Sequence, residues 1–170
     1  MRLLHRKIDF ENDVEYVLER HCRNSYECDS PWARKKSYEE YKKECYDLKD
    51  QRKEFIKALA ESTEDERAIA EIIETHIGEK VAFLWCTFNT SEEGDFSMAY
   101  LQEIYVEEGF RQQGIAAYLV RYAEDKAKAN GAKVLRSGTG VENFKSKSLH
   151  EKLGFQQYRY EFEKLLTESE

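Results

Sequence analysis

The sequence predicts an α+β domain built on one mixed sheet. Segments with strand alternation and segments with helical periodicity follow one another without the strict strand–helix–strand repetition of a parallel sheet. Apolar residues make up 41% of the 170 residues and aromatics 13%, enough for a sizeable core although 36% are charged. A single Pro and eight Gly exclude collagen-like and low-complexity architectures. The length fits one domain. We expect it to span residues 1–170, with a first strand and helices in 1–67 and the remaining strands in 68–170.

Leu3 to Phe10 reads as the first strand. Glu11 to Asn24 reads as a helix, because Val14, Val17, Leu18 and Cys22 share a face. Ser30-Pro31 reads as a helix start, with Ser as N-cap and Pro at the first helical position. Trp32 to about Ala60 is strongly helical, as one helix or two broken near Ser37. Tyr38, Tyr41, Cys45, Leu48, Phe55 and Leu59 form its stripe, with Arg52 the one polar member, and Glu39 and Lys43 form an i,i+4 pair. Tyr38, Tyr41, Trp32 and Trp85 read as core aromatics. Ser62 to Glu66 breaks the pattern. Ala68 to Thr75 suits a helix or a strand, and the turn at Gly78-Glu79 before Val81–Phe88 favours a hairpin. Asn89 to Asp95 reads as a polar loop and Phe96 to Val106 as a strand. Gly114 to Lys128 is a clear helix with Ile115, Leu119, Val120, Ala123 and Ala127 inward, ended by Asn130-Gly131. Val134-Leu135 begins a short strand. Asn143 caps a short helix that closes at Leu153-Gly154. Phe155 to Leu166 reads as a last strand carrying Phe155, Tyr158, Tyr160 and Phe162.

Charge and composition narrow the function. With 27 Lys and Arg against 34 Asp and Glu the formal charge is −7. That argues against a nucleic-acid partner, which needs a basic footprint, and mildly favours cationic ligands. No apolar run approaches the ~18 residues of a membrane span, and Met1 to Phe10 lacks the apolar stretch of a signal peptide, so the expected location is cytoplasmic. Cys22, Cys28, Cys45 and Cys86 lack zinc-type spacing and read as reduced thiols; no metal site is expected.

The chemically informative stretch lies between Tyr100 and Ala117, where a strand ends at Val106 and a helix opens near Gly114. A helix N-terminus presents unpaired N–H groups with partial positive charge. With small residues at Gly114 and Ala116, such a turn suits a phosphate or pyrophosphate. Gly138-Thr-Gly140 lacks the third glycine of a dinucleotide fingerprint, since position 143 is Asn, and neither a P-loop nor Gly-x-Ser-x-Gly occurs.

Two stretches together resemble the GNAT superfamily of acyl-CoA-dependent N-acyltransferases. They are Arg111-Gln112-Gln113-Gly114-Ile115-Ala116 and, about 30 residues on, Asn143-Phe-Lys-Ser146-Lys-Ser148-Leu149-His150-Glu-Lys152-Leu153-Gly154-Phe155. The resemblance implies a GNAT-like, mostly antiparallel central sheet with helices on both faces and a splayed central strand pair. It makes residues 68–170 a cofactor-binding core. It implies acetyl-CoA as cosubstrate, with its pyrophosphate on the loop made by Arg111, Gln112, Gln113, Gly114, Ile115, Ala116 and Ala117. Its pantetheine arm would run along Ile104, Tyr105 and Val106, with Asn143, Ser146 and Ser148 within reach. The implied reaction is transfer of an acetyl group to a primary amine of a small molecule or peptide, and homodimers are common in such proteins.

Such a reaction needs a base for the substrate ammonium, an N–H near Val106 for the oxyanion, and an acid for the thiolate. Glu103 is the first candidate base: it stands in an otherwise apolar strand, where a carboxylate is costly unless paired or facing a cleft. A salt-bridged structural role suits it equally. Where relatives often carry Tyr, this chain has His150. A phenol (ordinary pKa ~10) stays protonated at neutral pH, whereas an imidazole (~6.5) is mostly neutral there, so the acid's role falls to His150 or to water. That departure also keeps open a catalytically silent domain that binds acyl-CoA as a sensor or interaction module.

Overall fold

The computed structural model describes residues 2–28, 33–44, 50–89, 97–164 and 166. Its centre is a five-stranded sheet in the order β1-β2-β3-β4-β5. The strands are β1 (Leu3–Lys7), β2 (Ile69–Thr75), β3 (Lys80–Asn89), β4 (Met98–Val106) and β5 (Val134–Arg136). The first four run antiparallel to their neighbours; β5 lies parallel to β4. Alternation along β2 and β3 sends Ala70, Ile72, Phe83 and Trp85 to one face, and Ile69, Ile73, Leu84 and Cys86 to the other.

Each face is covered by helices. On the first lie α1 (Phe10–Cys28), the short α2 (Tyr38–Lys42) and α3 (Gln51–Glu64), through Val17, Leu18, Cys22, Tyr41, Phe55 and Leu59. On the second lies α4 (Ile115–Ala129), through Ile115, Leu119, Val120, Ala123 and Ala127, with Leu149 of α5 (Phe144–Lys152) and its C-cap Leu153 beside it. The expected mixed sheet with helices on both faces is therefore present. Trp85 and Tyr41 are core residues and Tyr38 packs against that core; Trp32, Cys45 and Leu48 lie outside the described residues, as do Ser30-Pro31 and most of the loop expected at 89–95.

Several boundaries depart from the sequence reading. β1 ends at Lys7, and Phe10 already belongs to α1. α1 runs four residues past Asn24, to Cys28. The break at Ser37 is a capping box, in which the Ser37 side chain accepts from the N–H of Glu40 and the Glu40 carboxylate accepts from that of Ser37. Ser62 does not end α3. Its hydroxyl donates back to the carbonyl of Ala58 at 2.9 Å and accepts the indole N–H of Trp85 at 2.9 Å, so the helix continues to Glu64. The strand expected from Phe155 to Leu166 does not form: the described residues beyond Gly154 join no ladder. A strand needs a partner, and β5 presents only three residues.

The N-terminus of α1 is locked by charge. Asp13 is fully buried. It accepts from Arg6 at 2.5 and 3.0 Å, from Lys80 at 2.7 Å and from the backbone N–H of Asp9 at 2.9 Å. Burial alone would raise its pKa, but these donors outweigh burial and hold the carboxyl well below the usual range. A depressed carboxylate contributes stability that is present above its unfolded pKa and lost as pH falls through the folded one. Asp13→Ala should therefore lower unfolding free energy by about 3 kcal/mol at neutral pH, and the gap to wild type should shrink below pH ~4. Urea denaturation at both pH values checks this; a gap that does not depend on pH contradicts it.

Candidate active site

The site begins with an irregularity in β4. Trp85 pairs with Glu103 and Cys86 with Leu101, which leaves Gln102 as an extra residue, a bulge. Ala99 and Leu101 face α4. Beyond the bulge it is Ile104 and Val106 that pack on that side, while Glu103 and Tyr105 turn towards α1. Without the extra residue Glu103 would fall on the α4 face.

β4 also parts from β5. The two pair only at Met98–Val134, Ala99–Leu135 and Tyr100–Arg136, and among the described residues no strand borders β4 on that side beyond Tyr100. The N–H of Glu107 donates to Val81 on β3 at 2.9 Å; by alternation, the N–H groups of Val106 and Ile104 point away from β3, into the opening. The carbonyl of Val106 accepts the Nε–H of Arg111 at 2.9 Å. The splayed strand pair expected from the sequence is thus observed, and it opens a cleft of about 770 Å³.

One wall of the cleft is the start of α4. Gln112 has φ +62° and Gly114, the N-cap, φ +80°, left-handed values that cost a residue with a Cβ and that glycine adopts freely. No side chain caps this helix, so the amides of Ile115, Ala116 and Ala117 are left to solvent or a ligand. A Cβ on Gly114 would meet no protein atom within 4 Å. Arg111 folds back, with its guanidinium 5.4 Å from the centre of the Tyr105 ring, and Gln113 donates to the carbonyl of Gly109 at 3.2 Å.

Glu103 is buried on the opposite wall. One oxygen lies 2.7 Å from Nδ1 of His21; the other accepts from Nδ2 of Asn24 at 3.0 Å. The His21 ring is stacked on Phe55 at 3.9 Å. His150 stands on α5, its Nδ1 2.7 Å from the carbonyl of Ser146 and its Nε2 2.8 Å from the hydroxyl of Ser137. A carbonyl or a carboxylate only accepts, so the hydrogen sits on Nδ1 in both rings. Nε2 of a neutral His150 then accepts from Ser137. Asn143 caps α5 by accepting from the N–H of Ser146 at 3.1 Å.

The far rim is formed where α1 ends against the loop before α5. A Cβ on Gly140 would fall 2.4 Å from the carbonyl oxygen of Cys28, so only glycine fits. The Cys28 thiol lies 3.8 Å from the Thr139 hydroxyl and 3.6 Å from Nδ2 of Asn143.

Of the residues selected from the sequence, the cleft brings together Glu103, Ile104, Tyr105, Val106, Arg111, Gln112, Gly114, Ile115, Ala116, Ala117, Asn143, Ser146, Ser148 and His150. Gln113 alone faces elsewhere. The sequence reading missed His21, Asn24 and Ser137. His21 was detectable, because it lies three residues after Leu18 and four after Val17, inside the apolar stripe of α1. Among the described residues no group of three or more His, Cys, Asp or Glu could hold a metal ion, and no helix is long and apolar enough to cross a membrane.

Comparison with known proteins agrees with this fold. The chain matches the Acetyltransferase (GNAT) family over residues 21–155. It is 29% identical over 123 residues to an uncharacterized N-acetyltransferase of Methanocaldococcus jannaschii, covering 72% of this chain and 53% of the relative. The chain thus spans about half the length of that relative. The fold superposes on an aminoglycoside 6'-N-acetyltransferase from Acinetobacter baumannii with a TM-score of 0.65 at 18% identity, over 98% of this chain and 100% of that one. It also superposes on AAC(6')-Iy in complex with the bisubstrate analogue CoA-S-monomethyl-acetylneamine, with a TM-score of 0.62 at 19% identity, over the same shares.

The tautomers can be checked by nitrogen-15 NMR of the imidazole rings. We expect His21 and His150 in the Nδ1–H form when neutral; an Nε2–H form of His150 would contradict its bond to the Ser146 carbonyl.

Proposed function

Because this chain belongs to the Acetyltransferase (GNAT) family, we propose that it transfers an acetyl group from acetyl-CoA to a primary amine by direct attack of the amine. One observation carries the reading: a strand with its main chain open on one side runs beside a helix N-terminus with no cap, and both face one cleft. These are the two features an extended, pyrophosphate-bearing ligand requires. The space beside Gly114 fits the group as well, since among the described residues nothing beyond its chain neighbours lies within 4 Å of a Cβ placed there.

In this reading the amides of Ile115, Ala116 and Ala117 hold the pyrophosphate, and Ile104 and Val106 offer backbone groups to the pantetheine arm. When bound, acetyl-CoA supplies an activated acetyl thioester. The N–H of Val106 is directed into the cleft, where it donates to negative charge building on the acyl oxygen. Glu103 accepts the proton of the incoming ammonium, directly or through water, while His21 and Asn24 fix its carboxylate. The second proton, lost by the attacking nitrogen as the amide forms and the C–S bond breaks, is taken up at Nε2 of His150 beside Ser137 and passed to the leaving thiolate.

The acceptor is a cationic amine. Glu27 and Glu103 line the same cleft, the chain is net negative, and two proteins of similar fold are aminoglycoside acetyltransferases. A small polyamine or aminoglycoside fits this charge, as does a lysine-bearing peptide. Release of free CoA against a panel of such amines tests turnover. Binding of acetyl-CoA without release on any amine would favour the silent sensor, a reading that the His150 position supports.

Saturating acetyl-CoA, about 100-fold above its dissociation constant, should add roughly 2.7 kcal/mol of stability, a rise in melting temperature of about 5–11 °C at this size. Gly114→Val should abolish that rise while the protein stays folded. A rise that survives the substitution would remove the loop as the phosphate site.

Glu103→Gln should lower turnover by about 10²–10⁴-fold and leave the acetyl-CoA-induced thermal shift intact. His150→Phe should lower turnover with little change in acetyl-CoA affinity. Steady-state kinetics beside calorimetric titration separate these effects, and unchanged turnover in either variant strikes that residue from the reaction.

A further inference from the structure

α5 carries three lysines in unlike settings. Lys145 and Lys152 line the cleft, whereas Lys147 does not. Lys147 stands 4.0 Å from Glu151, and Glu142, two residues before the helix, pairs with Arg34. The acids nearest in sequence are thus taken. Lys145 and Lys152 are exposed, and among the described residues neither forms an ion pair. Lys145, Ser148 and Lys152 recur at three- and four-residue spacing, so they share one face of the helix, with Ser148 between the lysines. In a chain of net charge −7, two cations without partners on the wall of a cleft mark a place for an anion.

We propose that Lys145 and Lys152 hold the 3'-phosphate of acetyl-CoA, so that the protein distinguishes this cosubstrate from a form without that group. The proposal rests on the acetyl-CoA reading above. In that reading the pyrophosphate lies on the amides of Ile115, Ala116 and Ala117, which line the same cleft as the two lysines. The ribose is joined directly to the pyrophosphate, so its 3'-phosphate is no more than one sugar away. α5 is the element at hand, since Leu149, next to Ser148, packs in the cluster that contains Ile115 and Leu119 of α4. The lysines stand two turns apart, ~10 Å along the helix axis. Their flexible four-carbon stems let both ammonium groups converge on one phosphate over Ser148. A phosphate monoester carries about two negative charges at neutral pH, one for each lysine.

Calorimetric titration with CoA and with dephospho-CoA, which lacks only the 3'-phosphate, tests this without turnover. Wild type should bind CoA about tenfold more tightly than dephospho-CoA, as two solvent-facing ion pairs to a dianion allow. Lys145→Gln and Lys152→Gln should each cut that advantage about threefold. The double variant should abolish it, and all three variants should bind dephospho-CoA as wild type does. Lys147→Gln removes the lysine outside the cleft and should leave the advantage whole. The proposal is overturned by a wild type that binds the two compounds equally, by a double variant that keeps the wild-type preference, or by Lys147→Gln erasing it. A wild type that binds neither compound removes the acetyl-CoA reading itself, and this proposal with it.

Discussion

The site depends on how β4 is tied to its neighbours. One extra residue, Gln102, sits between the β3 partners of Leu101 and Glu103, and three residues of β5 hold the other edge before the strands separate. The bulge exchanges the faces of every side chain after it. The separation leaves the main chain of the same stretch without a ladder on the side away from β3. A carboxylate that would otherwise face α4 instead meets α1, a few residues from backbone N–H groups that face the cleft. Both effects come from one nine-residue strand.

The rest of the fold makes this arrangement tolerable. Buried carboxylates are costly unless they are satisfied, and the protein satisfies two in different ways. Asp13 is neutralised by Arg6 and Lys80 and secures the helix start. Among the described residues no arginine or lysine forms an ion pair with Glu103; its oxygens meet an imidazole and an amide. The first arrangement suits a permanent charge. The second holds the carboxylate by hydrogen bonds from α1, at the wall of the cleft.

Much of this was legible in the residues. The helix beginning near Gly114 combined clear 3.6 periodicity with a terminal Asn130-Gly131, and Asn143 announced the start of α5 through its own side chain. The β2–β3 hairpin was legible once Gly78 was read as a turn. What the sequence hid was set by tertiary contacts. The bulge at Gln102 looks like two polar residues in a row, and only pairing with β3 shows that one of them is extra. His21 stood inside the apolar stripe of α1, but its partner Glu103, 82 residues away, was not visible from that position. The aromatic alternation after Gly154 reads as a strand, but alternation carries no information about whether an edge receives it, and the described residues there join none. Asn24 to Cys28 stays helical because its last turn is seated on the loop around Gly140, a contact 115 residues away for Cys28 and Asn143.

That seat has a consequence for how this protein can change. The carbonyl of Cys28 rests where a single methyl group on Gly140 would collide, so the length of α1 is gauged against a loop from the other half of the chain. Each residue inserted into a helix advances it ~1.5 Å and, at 3.6 residues per turn, rotates its end by ~100°. One added or deleted position in α1 would drive the helix end into that loop or swing it clear of the rim. Variation in length should therefore be excluded from α1 and appear instead in stretches that border no other segment so closely.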